Sequence, residues 1–219
     1  MFDGFLRVAA ATPDIRVADC NFNGASAAAL VSEAYEQGVS LLVLPELCLT
    51  GYTCSDLFLQ ESLLNGAGKA LLTLTEATRD KNMVVLAGLP LTVNGVLYNV
   101  AAVLHDGDIL GFVPKSYLPT YSEFYEGRHY HSGADIEADV LFNGKTYPFG
   151  TRLLFRCRQM PAFTLGIEIC EDLWVAQPPS ISHALAGATV IANLSASDET
   201  TGKDIYRRSL VSGQSARLV

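Results

Sequence analysis

The sequence predicts a single α/β domain, and three observations carry that prediction. Over about the first 90 residues, short apolar runs alternate with helical periodicity, which implies parallel strands joined by helical crossovers. Later, Asn94-Gly95, Asp106-Gly107 and Asn143-Gly144 sit between apolar runs and mark two-residue hairpins. Hydrophobic residues make up 49% of the 219 and charged residues 17%, enough apolar surface to bury a large core and too much for disorder.

Leu6 to Ala11 reads as a small first strand. Asn23 to Gln37 is alanine-rich with apolar residues at helical spacing, and Gly38 follows as a C-terminal stop. Leu41 to Leu44 is wholly apolar, as befits a strand covered on both faces. Ser55 and Asp56 are expected to cap the next helical stretch, and Gly66 to Asp80 to form another helix. Met83 to Gly88 is a third buried strand. Val96 to Leu104 and Ile109 to Val113 flank Asp106-Gly107 and should be antiparallel neighbours. Ser116 to Asp139 has no clear period and reads as a long ordered loop, and such loops are often functional. Arg152 to Arg156 and Phe163 to Ile169 read as strands. Pro178-Pro179 opens a helix to Ala186, Thr189 to Asn193 is a strand, and Lys203 to the end is helical despite Gly213.

The net charge of −8, from 15 basic and 23 acidic side chains, argues against nucleic acid and anionic membrane surfaces as partners. The five cysteines, at 20, 48, 54, 157 and 170, are odd in number and form no Cys-x-x-Cys pair, which fits reduced thiols in a cytoplasm. The N-terminal Met-Phe-Asp-Gly-Phe-Leu-Arg lacks the pattern of a signal peptide. No apolar run approaches the roughly 18 residues that span a bilayer. The histidines at 105, 129, 131 and 183 show no metal spacing, so no metal is expected, and His129 and His131 read as solvated loop residues. Gly66-Ala-Gly68 lacks the third glycine of a dinucleotide fingerprint, and Gly144-Lys145-Thr146 is a hairpin turn rather than a phosphate-binding loop.

Three strand ends hold residues that could carry chemistry. The buried run from Phe163 to Ile169 ends in Cys170, followed by Glu171, Asp172, Leu173 and the only tryptophan, Trp174. A thiol at the C-terminal end of such a strand is placed to act as a nucleophile where its surroundings favour the thiolate. Glu46, in Leu44-Pro45-Glu46-Leu47, is out of place in an apolar run, and a partly desolvated carboxylate suits general-base work. Lys115, in Val113-Pro114-Lys115-Ser116, could stabilise an oxyanion. Taken singly, Cys170 also reads as a small core residue, Glu46 as a solvated strand end and Lys115 as a surface lysine. All three follow buried strands of what reads as one sheet system. They can therefore meet at one rim, a workable site for acyl transfer from an amide.

Leu-Pro-Glu46-Leu-Cys-Leu-Thr-Gly-Tyr, Val-Pro-Lys115-Ser-Tyr-Leu-Pro and Gly-Ile-Glu-Ile-Cys170-Glu-Asp-Leu-Trp resemble the three signatures of the nitrilase superfamily, the carbon–nitrogen hydrolases, in that family's order and spacing. The stretches around Tyr52, Tyr121 and Cys170 are further similar to the N-terminal glutaminase domain of glutamine-dependent NAD synthetases. The resemblance implies a four-layer α-β-β-α sandwich, one glutaminase domain over residues 1–219 that is incomplete at its C-terminal end, with the synthetase domain absent. It implies Glu46 as general base, Lys115 as stabiliser of the tetrahedral intermediate, and Cys170 as nucleophile towards the side-chain amide of L-glutamine, releasing ammonia through a glutamyl thioester. Glu126 fits the glutamate that supports the lysine, with Glu123 the runner-up. Tyr52, Tyr121, Ser197 and Lys203 would hold substrate, and the backbone N–H of Glu171 would help hold the oxyanion. No cofactor is implied for the glutaminase step, since ATP and deamido-NAD would bind the synthetase domain. A homo-oligomer is implied, since the superfamily commonly dimerises through this sandwich, and an incomplete sheet would expose an apolar edge prone to associate. A free-standing amidase for another small amide and a non-catalytic assembly module are the alternatives.

Overall fold

The computed structural model describes residues 4–218; residues 1–3 of the N-terminal stretch and Val219, the last residue of the predicted C-terminal helix, lie outside the described residues. Strands β1 (Val8–Ala10), β2 (Leu41–Val43) and β3 (Val84–Val93) pair in parallel, with helices α1 (Cys20–Glu36) and α2 (Glu61–Ala77) as the crossovers. Helix α1 begins before its alanine-rich run because Asp19 caps it, accepting the Phe22 N–H at 3.1 Å. Ser55 and Asp56 do not cap α2; they open a separate 3-10 turn, Ser55–Leu59. Nor does Gly66 begin a new helix. It lies inside α2, where a Cβ would stand 3.2 Å from Cys20 Sγ, and Gly24 of α1 meets Ala70 in the same way. These glycines let two helices approach closely.

From β3 the chain turns back through β4 (Val96–His105) and β5 (Asp108–Pro114), both antiparallel to their predecessor. The turns at Asn94-Gly95 and Asp106-Gly107 have φ of 51° and 79°, and of 48° and 76°, the left-handed pair that a tight hairpin needs. The third such pair, Asn143-Gly144, joins β6 (Glu137–Phe142) to β7 (Lys145–Gly150), so the long loop ends before Asp139. Strand β7 adds in parallel beside β5 and completes a seven-stranded sheet in the order β1-β2-β3-β4-β5-β7-β6.

A second sheet has the order β10-β9-β8, from β8 (Phe155–Arg156), β9 (Thr164–Ile169) and β10 (Val190–Leu194). Only Phe155 and Arg156 of the expected Arg152 to Arg156 strand are paired. Helix α3 (Pro179–Leu185) crosses between the parallel β9 and β10. Helices α1 and α2 cover one face of the large sheet, where Val31, Leu71 and Leu74 meet Leu42, Val85 and Ala87. Its other face, with Leu41, Leu86, Ala101 and Val113, packs on Leu165, Ile167, Ile169 and Leu194 of the small sheet. Helix α3 closes the far side, and Gly166 of β9 admits His183 so closely that a Cβ there would sit 2.9 Å from it. The result is the four-layer α-β-β-α sandwich. Each buried Val, Leu or Ile adds roughly 1.5–3 kcal/mol, so apolar packing sets the spacing of the sheets. Helix α4 (Lys203–Leu218) lies against α3. None of the described helices is long and apolar enough to cross a membrane.

This architecture corrects one expectation. Cys170 does not follow a strand of the sheet that carries Glu46 and Lys115: β2 and β5 belong to the large sheet and β9 to the small one. The short apolar runs could not distinguish the two, because a strand buried on both faces looks alike in either sheet.

Candidate active site

Beyond β2 the backbone pairs once more, Leu44 N–H donating to Leu86 O at 2.9 Å, and then turns through Pro45, Glu46 and Leu47, whose φ is +52°. Strand β3 passes directly beneath this turn. A Cβ at Gly88 would lie 2.2 Å from the Leu47 nitrogen and 2.7 Å from Glu46 Cα, so only glycine leaves room for Glu46. Gly88 is thus not a strand end; β3 runs on to Val93. Lys115 follows β5, its N–H donating to Asn99 O at 2.9 Å and its carbonyl accepting from Gly133 N–H at 2.8 Å. Its residue is 1% exposed, and Nζ donates to Glu46 Oε1 and Glu126 Oε1 at 2.6 Å each. Glu126 opens a short 3-10 turn, Glu126–Arg128, in the long loop. Asp56 braces that turn from outside, accepting from Arg128 at 2.8 and 3.0 Å and lying 3.0 Å from His129 Nε2.

The site therefore holds two carboxylates around one ammonium. Burial disfavours the charge of Lys115, but Glu46 and Glu126 beside it more than offset that and hold the amine above the ordinary lysine range. Burial pushes Glu126 up despite the opposing pull of Lys115, and the charge of Glu46 adds to the rise. Asn99, from the apolar strand β4, separates the carboxylates, its Nδ2 donating to Glu46 Oε1 at 2.7 Å and reaching Glu126 Oε2 at 3.5 Å. Two donors thus occupy Glu46 Oε1, while Oε2 accepts the Ala196 N–H at 3.1 Å.

Cys170 opens a 3-10 turn, Cys170–Leu173, immediately after β9. Its φ of +45° is a conformation non-glycine residues rarely adopt, a strain worth roughly 1–3 kcal/mol that tends to collect at functional sites. Its surroundings do not favour a resting thiolate. Burial and then the charge of Glu46 push the thiol up to about 12, against the pull of Lys115, the Ala196 N–H and Ser195. At neutral pH the sulfur is protonated and needs a base beside it.

Cys170 lines a cavity of about 430 Å³ together with Tyr121, Phe124, Glu171, Trp174, Ser197, Lys203 and Tyr206. The Tyr121 hydroxyl donates to both Glu171 oxygens, at 3.1 and 2.9 Å. Lys203 pairs with Asp198 and lies 5.3 Å from the Trp174 ring, on which Tyr206 packs with centroids 5.4 Å apart. Of the residues singled out from the sequence, Glu46, Lys115 and Glu126 are joined directly, and the charges of Glu46 and Lys115 act on the Cys170 sulfur. Tyr121, Glu171, Ser197 and Lys203 reach the cavity wall. Two do not fit as expected. Tyr52 lies outside that wall because its hydroxyl is held by Glu126 Oε1 at 2.6 Å, and Glu123 is exposed while Glu126 takes the place beside Lys115. His129 is buried rather than solvated, packed on Phe58 with centroids 5.8 Å apart. Sequence reasoning missed Asn99, although a lone amide in an apolar strand is a signal, and it assigned nothing to Asp172.

A sequence model of the carbon-nitrogen hydrolase family matches residues 7–215. The chain is 45% identical over 216 residues to the glutamine-dependent NAD(+) synthetase of Mycobacterium tuberculosis, covering 99% of this chain and 32% of that protein. The crystal structure of a glutamine-dependent NAD(+) synthetase from Cytophaga hutchinsonii superposes with a TM-score of 0.86 at 31% identity, over 97% of this chain and 34% of that one. An amidase from Nesterenkonia sp. shares the fold, with a TM-score of 0.70 at 20% identity over 98% of this chain and 74% of its own. The chain thus spans about a third of the length of the curated relatives it matches. On its motifs, its four layers and a family match over nearly its whole length, this chain belongs to the carbon-nitrogen hydrolase family.

Proposed function

We propose that this chain hydrolyses the side-chain amide of glutamine and supplies the ammonia to NAD synthesis. The observation that carries the reading is a sealed Glu46–Lys115–Glu126 group, two of whose charges act on Cys170, a thiol at the wall of a cavity large enough for an amino acid. Likeness to glutamine-dependent NAD(+) synthetases over 99% of the chain supports the choice of amide. Glutamine needs polar partners for its α-amine and α-carboxylate, and Glu171, Tyr121, Ser197 and Lys203 offer them.

Glu46 takes the thiol proton as Cys170 Sγ attacks the amide carbon. Oε2 is the oxygen for this work, because Lys115 and Asn99 already occupy Oε1. The Lys115 ammonium stabilises the oxyanion. Glu46 then returns its proton to the nitrogen, the carbon–nitrogen bond breaks and ammonia leaves a glutamyl thioester. Water, deprotonated by Glu46, attacks the thioester, glutamate departs and Cys170 regains its proton. Glutamine and water become glutamate and ammonia. The ammonia serves a synthetase domain in a longer protein.

The test is ammonia release from glutamine, with asparagine and simple amides in competition and Cys170→Ala as control. Release from glutamine that vanishes in the variant is expected. Preference for another amide would reject glutamine as substrate, and undiminished release from Cys170→Ala would reject the thiol mechanism.

A further inference from the structure

Asp172 is 1% exposed and has no part in the steps above, yet it touches both halves of the site. Its Oδ1 accepts the N–H groups of Ser116 at 3.1 Å and Tyr117 at 2.8 Å, and its Oδ2 accepts the N–H of Ile169 at 2.9 Å. Ser116 and Tyr117 directly follow Lys115, past the end of β5 in the seven-stranded sheet. Ile169 ends β9 in the three-stranded sheet and directly precedes Cys170. One carboxylate therefore grips the backbone on both sides of the sheet-to-sheet boundary, beside the ammonium and beside the thiol. No strand pairing joins the two sheets among the described residues. Apolar packing holds them together without fixing their register, since it is non-directional, whereas N–H···O bonds to a carboxylate are directional and strong. Cys170, with φ at +45°, sits in a conformation that its own backbone preference does not maintain.

We infer that Asp172 is a positioning residue, locking the turn after Lys115 to the strand end that carries Cys170 and so setting the geometry of ammonium and thiol. Its kinetic consequences rest on the amide hydrolysis proposed above; the backbone lock itself does not. The charged groups that act on Asp172 are Lys115, from the end of β5, and Glu168, from β9. Burial lifts its carboxyl from 3.8 to about 7, with Glu168 adding to the rise and the Ile169 and Tyr117 N–H groups and Lys115 opposing it. The pH dependence follows. Between these two values the folded chain holds a proton that the unfolded chain has lost, so the stability that Asp172 contributes falls as pH rises from 3.8 to about 7 and is gone above that. The ionised carboxylate grips the three N–H groups more firmly, so activity rises as pH passes about 7 and the folded chain gives up this proton.

The experiment compares the wild-type chain with Asp172→Asn, which keeps the shape but turns an NH₂ towards a backbone N–H. In the variant, kcat for ammonia release is expected to fall about 10²-fold with KM little changed, the scale of a small misplacement of reacting groups. The rise of kcat across pH 7 should disappear. Alkylation of Cys170 by iodoacetamide, followed by peptide mapping, should slow in the variant. A purely structural residue would lower the melting temperature and leave the pH profile of the remaining activity intact; that result overturns the inference. If Asp172→Asn does not fold, carbon-13 NMR of the wild-type aspartates decides: Asp172 must titrate in step with the rise in kcat, and separate midpoints overturn the inference. Failure of the wild type to act on glutamine would reject the proposed function instead. Equal Cys170 alkylation in wild type and variant would still count against the lock, with no substrate involved.

Discussion

Lys115 is held between two carboxylates and Lys203 against one, and their settings could hardly differ more. Lys115 and its partners Glu46 and Glu126 have side chains 0–5% exposed, whereas Lys203 and Asp198 are 21% and 27% exposed. At the buried position a lost partner leaves an uncompensated charge in a dry interior, so all members must be present together. At the rim, water reaches Lys203 and Asp198, and the pair adds only about 0–1 kcal/mol to stability. The same ion pair thus serves as a rigid electrostatic fixture in one place and an exchangeable contact in the other. Burial decides which.

Five substitutions would sharpen or break this contrast. The largest effect is expected from Cys170→Ala, which joins the two settings: ammonia release should fall at least about 10⁴-fold, as for removal of other activated nucleophiles, with unchanged circular dichroism. Lys115→Met should lower kcat by about 10²–10³-fold, the scale of a lost oxyanion donor, and cost about 3–5 kcal/mol in urea unfolding, because Glu46 and Glu126 would face each other without a cation. Adding Glu126→Gln to it should restore part of that stability; no recovery would mean that charge is not the reason. Tyr52→Phe removes a donor from buried Glu126 and should cost about 1–3 kcal/mol while leaving KM unchanged. The smallest stability effect, within about 0.5 kcal/mol, belongs to Lys203→Ala, whose signature should be a raised KM in steady-state kinetics. Equal destabilisation by Lys203→Ala and Lys115→Met would erase the distinction between sealed and rim pairs.

Much of the fold was legible because the rules that build it are local. An Asn-Gly or Asp-Gly pair specifies its own turn, and all three predicted hairpins stand at 94–95, 106–107 and 143–144. Apolar runs of a few residues marked β2, β3 and β9, although β3 extends past Gly88 to Val93. Gly66 misled because a glycine that breaks a helix and one that admits a neighbouring helix look the same in sequence. At the site, the motifs around Glu46, Lys115 and Cys170 were visible as polar residues ending apolar runs. Asn99 was not picked out, and its role depends on Glu46 and Glu126, 53 and 27 positions away.

By itself, the sequence determined the strand–helix alternation, the turns and the identities of thiol, carboxylate and ammonium, since each depends on neighbours in the chain. Only the tertiary structure decided that Cys170 comes from a second sheet, that Glu126 rather than Glu123 shares Lys115, that Tyr52 turns onto Glu126, and that Asp172 ties the sheets together. The physical reason is desolvation. Whether a charged side chain is a surface ornament or part of a sealed group depends on what packs around it, and that is assembled from segments far apart in the chain.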